Sequence, residues 1–125
     1  MKITNAKPFF PNEDIDSILN DIKDSLRTGV LTLGPNVEKL EREFADYVGV
    51  KHAIAVNSGT SALEIALRYF ELNGGEVIVP TNSFVASANA VIFAGGKPVL
   101  VDIKKETLCI DPNEIRKKIS SNTKG

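Results

Sequence analysis

The sequence predicts an α/β fold in which helices cover both faces of a mainly parallel sheet. Three short apolar runs of strand length begin at residues 53, 76 and 98. A helical segment lies between each run and the next, which is the pattern of consecutive β-α-β units. Such units have right-handed crossovers, and their parallel strands are buried on both faces. The sequence therefore predicts part of a three-layer α/β/α sandwich.

Composition and charge narrow the class of protein. The 125 residues are 42% hydrophobic and 25% charged, which suits one domain with a moderate core. The net charge of −1 gives no bias towards nucleic acid or an acidic membrane surface. A single cysteine, Cys109, excludes an intrachain disulfide, and a single histidine, His52, argues against a histidine-based metal site. No membrane span and no signal-peptide core are recognisable, so we expect a cytoplasmic protein.

Two amphipathic helices are predicted before the first strand. An extended lead-in over residues 1–11 precedes the first helix, for which Asn12 is the expected N-cap and Gly29 the stop signal. Asn36 is expected to cap the second helix, which Gly49 ends. The apolar residues expected to face inward are Ile15, Ile18, Leu19, Ile22 and Leu26 in the first helix and Val37, Leu40, Phe44, Tyr47 and Val48 in the second.

The loop between these helices is unusually apolar for a connection. Because exposed apolar loops need a covering surface, residues 29–35 are expected either to dock on the domain's own core or to line a ligand or subunit cleft. The charged side of the second helix, which includes Glu41, is expected to face solvent without a specific role.

The first predicted strand, residues 53–56, leads through a polar turn into an apolar helix. Gly59 in that turn would let a ligand approach the backbone closely. Thr60 and Ser61 open the helix, where backbone N–H groups lack partners and the dipole is positive. Such a helix start can hold a phosphate or a carboxylate. It can equally be an ordinary helix start capped by Ser58 or Thr60, and both interpretations remain open on these residues alone.

The rest of the chain continues the β-α-β pattern. Glu76–Pro80 is the second strand, and residues 84–94 form a helix that is apolar nearly all round and therefore expected to be buried. Residues 97–103 are the third strand. Asp111 starts a last helix with proline at its first position, and residues 120–125 are polar and carry no predicted element.

Polar residues follow the predicted strands at their carboxyl ends, where ligands of α/β proteins bind. Residues 57–61 and 81–83 are polar turns at such ends, and Asp102 lies near the end of the third strand. This coincidence favours an anion or cofactor site. Phe84, beside the second turn, would either stack on a planar ligand or pack in the core. The absence of P-loop, nucleophile-elbow and G-x-G-x-x-G motifs argues against ATPases, hydrolases and dinucleotide-binding enzymes.

Four segments in register resemble the DegT/DnrJ/EryC1/StrS aminotransferases, and the likeness covers nearly all of the chain. The segments are residues 34–44, 56–63, 76–90 and 96–103. The resemblance implies the N-terminal part of the large domain of the pyridoxal-phosphate-dependent transferase fold type I. Residues 36–125 would be an incomplete cofactor-binding domain, and residues 1–35 a helix with a substrate-side loop.

The resemblance also implies roles for matching residues. Thr60 and Ser61 would hold the phosphate of pyridoxal 5′-phosphate through N–H and hydroxyl groups, and Phe84 would stack on its pyridine ring. The implied cofactor-binding residues are Gly59, Thr60, Ser61 and Phe84, and the implied substrate-binding residues are Gly34, Asn82 and Ser83.

The implied activity is amination of a nucleotide-linked keto-sugar, with glutamate as amino donor, in cell-surface polysaccharide or amino-sugar biosynthesis, by a homodimer. In the family, the Schiff-base lysine and the acidic partner of the pyridine nitrogen lie beyond position 125. Since Schiff-base chemistry needs both, these 125 residues are expected to be inactive alone. Some members are dehydratases with histidine in place of the lysine, and position 125 comes too early to distinguish the two.

An alternative is a stand-alone α/β module that binds a phosphorylated ligand without catalysis. A structural difficulty accompanies either interpretation. In fold type I, strands from later in the chain separate the strand over residues 53–56 from the next two, so this strand would need a new partner, and exposed strand edges favour association.

Overall fold

The structure is a computed structural model that describes residues 6–125. Residues 1–5 of the predicted lead-in lie outside that range. The elements are α1 (Asn12–Thr28), α2 (Pro35–Val48), α3 (Gly59–Tyr69), β1 (Glu76–Pro80), α4 (Ala86–Phe93), β2 (Lys97–Val101) and α5 (Pro112–Lys118). They belong to two compact units, of which the first ends at Ala55 and the second is Val56–Gly125.

The first unit contains the two predicted helices. α1 starts one residue and α2 two residues before the expected position. Pro11 rather than Asn12 precedes α1, and its extended backbone leaves its carbonyl to accept the first helical hydrogen bonds. Gly34 rather than Asn36 precedes α2, whose first residue is Pro35. Proline suits this position because its missing N–H would have had no helical partner.

Both helices end at the predicted glycines. Gly29 has φ 72° and donates its N–H to the Ser25 carbonyl, and Gly49 has φ 76° and donates to the Ala45 carbonyl. Left-handed backbone of this kind is readily adopted by glycine. The stop signals are therefore confirmed.

The expected inward faces of α1 and α2 are not buried. Among the described residues of the first unit, Ala45 alone is buried, whereas Tyr47 is 88% exposed. In the loop between the helices, Leu33 is 87% exposed, so this side chain does not dock on a core of its own unit. The apolar spacing identified the helices correctly, but spacing cannot show which surface covers a stripe.

The predicted strand over residues 53–56 is wrong. The segment forms no strand, and Ile54 is 82% exposed. A strand needs a neighbour for its backbone groups, and no described segment pairs with this one. Its Ala55 N–H instead donates to Glu41 Oε1 at 2.8 Å. Glu41 lies on the helix side expected to face solvent, and this structural contact was not predicted.

The second unit contains the predicted β-α-β motif. β1 and β2 pair in parallel along their whole length, with Glu76 opposite Lys97. α4 connects the two strands and contacts both. β2 ends at Val101 rather than Ile103, because Ile103 forms an isolated antiparallel bridge with Ile110.

The core of this unit lies between β1, α4 and the turn before β1. It consists of the buried residues Leu72, Val77, Val79 and Val91. Val91 is 1% exposed, whereas Ile92 and Phe93 on the same helix are more than half exposed. The expectation that this helix is buried all round is therefore wrong. α4 is also shorter than predicted, starting at Ala86.

The last residues add to the free edge of β1. Glu76 N–H donates to the Asn122 carbonyl, Lys124 N–H donates to the Glu76 carbonyl, and Ile78 N–H donates to the Gly125 carbonyl, at 2.7–2.8 Å. Residues 120–125 form no helix or strand, as expected, but their bonds to β1 were not predicted. β1 has β2 on one edge and the start of a parallel ladder on the other.

α5 begins as predicted. The Asp111 carboxylate accepts a hydrogen bond from the Asn113 N–H at 2.8 Å, and Pro112 is the first helical residue. Within residues 6–125, we find no helix with the length and apolar character needed to cross a membrane.

Candidate functional site

Ser58 caps α3, as one of the two interpretations of this turn predicts. Its backbone is extended, and its Oγ accepts a hydrogen bond from the Ser61 N–H at 3.2 Å. The Ser58 carbonyl accepts from the Ala62 N–H at 3.1 Å. The cap therefore satisfies one of the four N–H groups that a helix start leaves without a helical partner.

The cap leaves donors unused at the same helix start. Within residues 6–125, the N–H groups of Gly59 and Thr60 and the Thr60 hydroxyl have no hydrogen-bond acceptor. A Cβ added at Gly59 would meet no atom within 4 Å, so the backbone is open to a ligand. The helix dipole adds roughly 0.3–2 kcal/mol for a bound anion. This donor set suits a phosphate, and capping and anion binding are compatible here.

The Ser61 hydroxyl is engaged within the turn. It donates to Asn57 Oδ1 at 2.7 Å, and its oxygen lies 3.0 Å from Ser58 Oγ. Asn57 was not among the residues predicted for the site. Its position two residues before a helix start, where asparagine commonly bonds to nearby groups, was the signal that could have identified it.

The second predicted turn lies between β1 and α4 and exposes its aromatic residue. Phe84 is 79% exposed, so the core-packing interpretation is wrong for this ring. Ser83 Oγ lies 2.8 Å from Ser87 Oγ, which fixes the side chain that precedes Phe84. Asn82 is exposed in the bend that follows β1. The turn therefore presents an aromatic face with polar side chains beside it.

Arg68 links α3 to α4. Its Nη2 donates to the Phe93 carbonyl at 2.6 Å, and its Nε donates to Glu64 Oε1 at 2.8 Å. The bond joins the C-terminal ends of two helices that pack on one another. We therefore expect the starts of the two helices, with Thr60 in α3 and Phe84 two residues before α4, to lie towards the same end of the unit.

Gly34 belongs to the first unit, whereas the other predicted site residues belong to the second. A Cβ at Gly34 would lie 2.6 Å from Val30 Cγ1, so the glycine permits close packing at the start of α2. Gly34 lines a mainly apolar cavity of about 430 Å³ between α1 and the following loop. Ile22 and Leu26 are on its α1 side.

The charged residues show no catalytic cluster within the described part of the chain. Asp102, at the end of β2, accepts a hydrogen bond at Oδ1 from the Ile103 N–H at 2.8 Å. A hydrogen bond and the charge of Glu114 raise the pKa of Lys117 on α5. No group of three or more metal-ligating side chains occurs in residues 6–125.

Comparison with known proteins identifies relatives over nearly all of the chain. The DegT/DnrJ/EryC1/StrS aminotransferase family model matches residues 12–125. A 3-oxo-glucose-6-phosphate:glutamate aminotransferase of Bacillus subtilis (strain 168) is 43% identical over 124 residues. A GDP-perosamine synthase of Caulobacter vibrioides is 40% identical over 124 residues. The matches cover 94% and 98% of this chain but 28% and 33% of those proteins, so the chain spans a third or less of their length.

Solved structures show the same fold. NtdA from Bacillus subtilis with bound cofactor PMP superimposes with a TM-score of 0.83 at 40% identity. The PLP-form of Spr1654 from Streptococcus pneumoniae gives a TM-score of 0.86 at 33% identity. Each match covers 98% of this chain, and 30% and 31% of the respective structures. The predicted fold class, the N-terminal part of a pyridoxal-phosphate-dependent transferase domain, is confirmed.

Proposed function

We propose, since the chain belongs to the DegT/DnrJ/EryC1/StrS aminotransferase family, that it is the cofactor-phosphate-binding part of a pyridoxal-phosphate-dependent sugar aminotransferase. The observation that carries this proposal is the start of α3. Two N–H groups and one hydroxyl there have no acceptor within residues 6–125. A phosphate dianion accepts such bonds strongly, because charge-assisted hydrogen bonds are the stronger class.

In this proposal the turn of Gly59, Thr60 and Ser61 holds the phosphate through the donors of Gly59 and Thr60. Ser61 uses its N–H and its hydroxyl inside the turn, and Ser58 holds the turn in shape by capping α3. Phe84 stacks on the pyridine ring, which its exposure supports. The bound cofactor supplies an electron sink for chemistry at the carbon that carries the amino group. The chain's own contribution is to hold and orient the cofactor.

The proposed substrate is a keto-sugar carried on a nucleotide diphosphate, with glutamate as amino donor. The names of the relatives support a phosphorylated sugar, since one acts on a sugar phosphate and glutamate and the other is named for a GDP-linked sugar. We place Gly34 on the substrate side, and Asn82 and Ser83 in the cleft wall. Residues 1–35 then form the substrate-side segment and residues 36–125 the incomplete cofactor domain.

The remaining features of the proposal concern the whole enzyme. We propose a cytoplasmic homodimer in amino-sugar or cell-surface polysaccharide biosynthesis. The biosynthetic role is supported by the name of a relative, the spore coat polysaccharide biosynthesis protein SpsC of Bacillus subtilis (strain 168), which is 41% identical over 107 residues. The 125 residues are proposed to be inactive alone, because none of their lysines lies in the family's Schiff-base context.

Binding of pyridoxamine 5′-phosphate to the ¹⁵N-labelled chain tests the proposed site. This form of the cofactor has no aldehyde and cannot form imines with surface lysines. We expect saturable shifts of the Gly59 and Thr60 amides and of the Phe84 ring protons. Pyridoxamine, which lacks the phosphate, is the matched control and should leave both amides unmoved. Unmoved Gly59 and Thr60 amides at millimolar pyridoxamine 5′-phosphate would contradict the proposal.

Two further measurements separate the candidate functions. The chain, supplied with pyridoxal 5′-phosphate, glutamate and a nucleotide-linked keto-sugar, should form no 2-oxoglutarate. The coding sequence downstream of codon 125 should encode a Schiff-base lysine. A histidine at that place would indicate a dehydratase, and a stop codon directly after Gly125 would favour a stand-alone phosphate-binding module.

A further inference from the structure

The hydroxyl protons of the α3 turn are already assigned by its geometry. Ser61 N–H donates to Ser58 Oγ at 3.2 Å, and Ser61 Oγ donates to Asn57 Oδ1 at 2.7 Å. The two serine oxygens lie 3.0 Å apart. A hydroxyl carries one proton, so Ser61 has none left for Ser58. Ser58 must therefore be the donor in the contact between the two serines.

This assignment changes what the turn can offer an anion. The hydroxyls of Ser58 and Ser61 both donate to acceptors inside the turn, so Ser61 Oγ can offer a ligand only its lone pairs. A phosphate oxygen is also an acceptor, so it gains no hydrogen bond from that oxygen. Thr60 differs, because its hydroxyl has no partner within residues 6–125.

We propose that Asn57 is a positioning residue that withdraws the Ser61 hydroxyl from the donors of the cofactor phosphate, leaving the Thr60 hydroxyl and the N–H groups of Gly59 and Thr60 to hold it. The inference rests on the proposed function, which places the phosphate at this turn. It gives different roles to Thr60 and Ser61, two adjacent hydroxyl residues that the sequence predicted to act together. Thr60 touches the phosphate, whereas Ser61 keeps the turn in shape.

Affinity for pyridoxamine 5′-phosphate, followed through the Gly59 and Thr60 amide shifts, tests the assignment. Thr60→Val removes the hydroxyl at nearly constant shape and should raise Kd about 10-fold or more, the usual effect of losing a hydrogen bond to a charged group. Ser61→Ala should change Kd less than about 2-fold, because its proton is used elsewhere. Equal losses in the two variants would overturn the inference.

A double-mutant cycle isolates the role of Asn57. In Asn57→Ala the Ser61 hydroxyl is released and can turn to the phosphate. Adding Ser61→Ala in that background should therefore weaken binding several-fold, although it is nearly neutral in the unchanged chain. Independent, additive effects of the two substitutions would overturn the positioning role.

Asn57→Asp keeps the test valid if the alanine variant disrupts the turn. Its carboxylate still accepts the Ser61 proton, so Ser61→Ala should remain neutral in that background even though the added negative charge weakens binding overall. A strong Ser61→Ala effect there would overturn the inference. The failure of the proposed function has a different signature, namely that the unchanged chain shows no shift at Gly59 or Thr60.

Discussion

The two units of this chain use similar apolar content and reach different degrees of burial. In the second unit, β1, β2 and α4 enclose Val77, Val79 and Val91. In the first unit, α1 and α2 are clearly amphipathic, yet Ala45 alone is buried among the described residues. A β-α-β motif closes a core from elements adjacent in sequence, whereas two helices and an unpaired extended segment leave their apolar faces open. We therefore expect stability to be concentrated in the second unit.

The largest effect should come from truncating a buried leucine of the second unit, with an exposed leucine of the first unit as the matched control. Leu72 is 2% exposed and Leu26 is 67% exposed. Leu72→Ala should lower the free energy of unfolding by about 2–5 kcal/mol, because it leaves a cavity. Leu26→Ala should change it by about 0.5 kcal/mol or less. Urea denaturation, together with hydrogen exchange of the β1 and α1 amides, measures the change in the free energy of unfolding for the two variants. Equal losses would show that α1 is buried in solution.

The second test concerns packing around Gly96, within the stable unit. A Cβ there would lie 2.6 Å from Leu72 Cδ1 and 3.1 Å from the Gly75 carbonyl oxygen. Gly96→Ala should therefore destabilise by about 1–3 kcal/mol through overpacking. Gly59→Ala is the control, since nothing lies within 4 Å of its added methyl. Thermal unfolding should show a lower Tm for the first variant alone, and an unchanged Tm in both would mean that this core is loose.

A smaller effect is expected in the first unit, at the bond from the Ala55 N–H to Glu41. Glu41→Ala should speed exchange of the Ala55 amide and cost about 0.5–1.5 kcal/mol. Glu41→Gln keeps an acceptor oxygen and should preserve most of the protection. Glu43→Ala is the control, because Glu43 faces Lys39 at 3.9 Å on the exposed surface. If Ala55 exchanges equally fast in all variants, the bond is not maintained in solution.

The smallest effect concerns the surface of the second unit, at the pair of Lys117 and Glu114. Lys117 Nζ lies 2.6 Å from Glu114 Oε1, and this hydrogen bond and charge raise the lysine pKa above its ordinary value of 10.5. Because the pKa of Lys117 is higher in the folded chain than in the unfolded chain, the pair stabilises the fold fully at a pH below the unfolded-chain pKa. This stabilisation is lost as the pH rises through the folded-chain pKa. NMR titration of the Lys117 ε-protons should show the raised pKa, and Glu114→Gln should return it towards 10.5. An identical titration in both would mean that the pair does not form in solution.

Local signals in the sequence predicted the helix ends and the β-α-β motif. Gly29, Gly49 and Pro112 act through backbone conformation within one turn of the chain, so neighbouring residues suffice to interpret them. The helix starts were misplaced because Asn12 and Asn36 are good caps in isolation, whereas the residues that precede the two helices are Pro11 and Gly34.

Features that depend on distant partners could not be read from the sequence. Residues 53–56 have the composition of a buried strand, but a strand exists only where another segment meets its backbone. The same limit applies to the apolar stripes of α1 and α2. At the candidate site, the sequence indicated Thr60 and Ser61 equally. Only the position of the Asn57 side chain shows that their hydroxyls differ.

The position of β1 between two later segments has a consequence for synthesis. β2 and residues 122–125, which bond to its two edges, both follow it in the chain. β1 therefore leaves the ribosome before either neighbour. Its Val77 and Val79 lack their α4 partner until Val91 has emerged, and its backbone lacks β2 until Val101 has emerged. During that interval the nascent chain presents an apolar segment with open backbone groups, which is the kind of segment that chaperones bind and that aggregates when they do not.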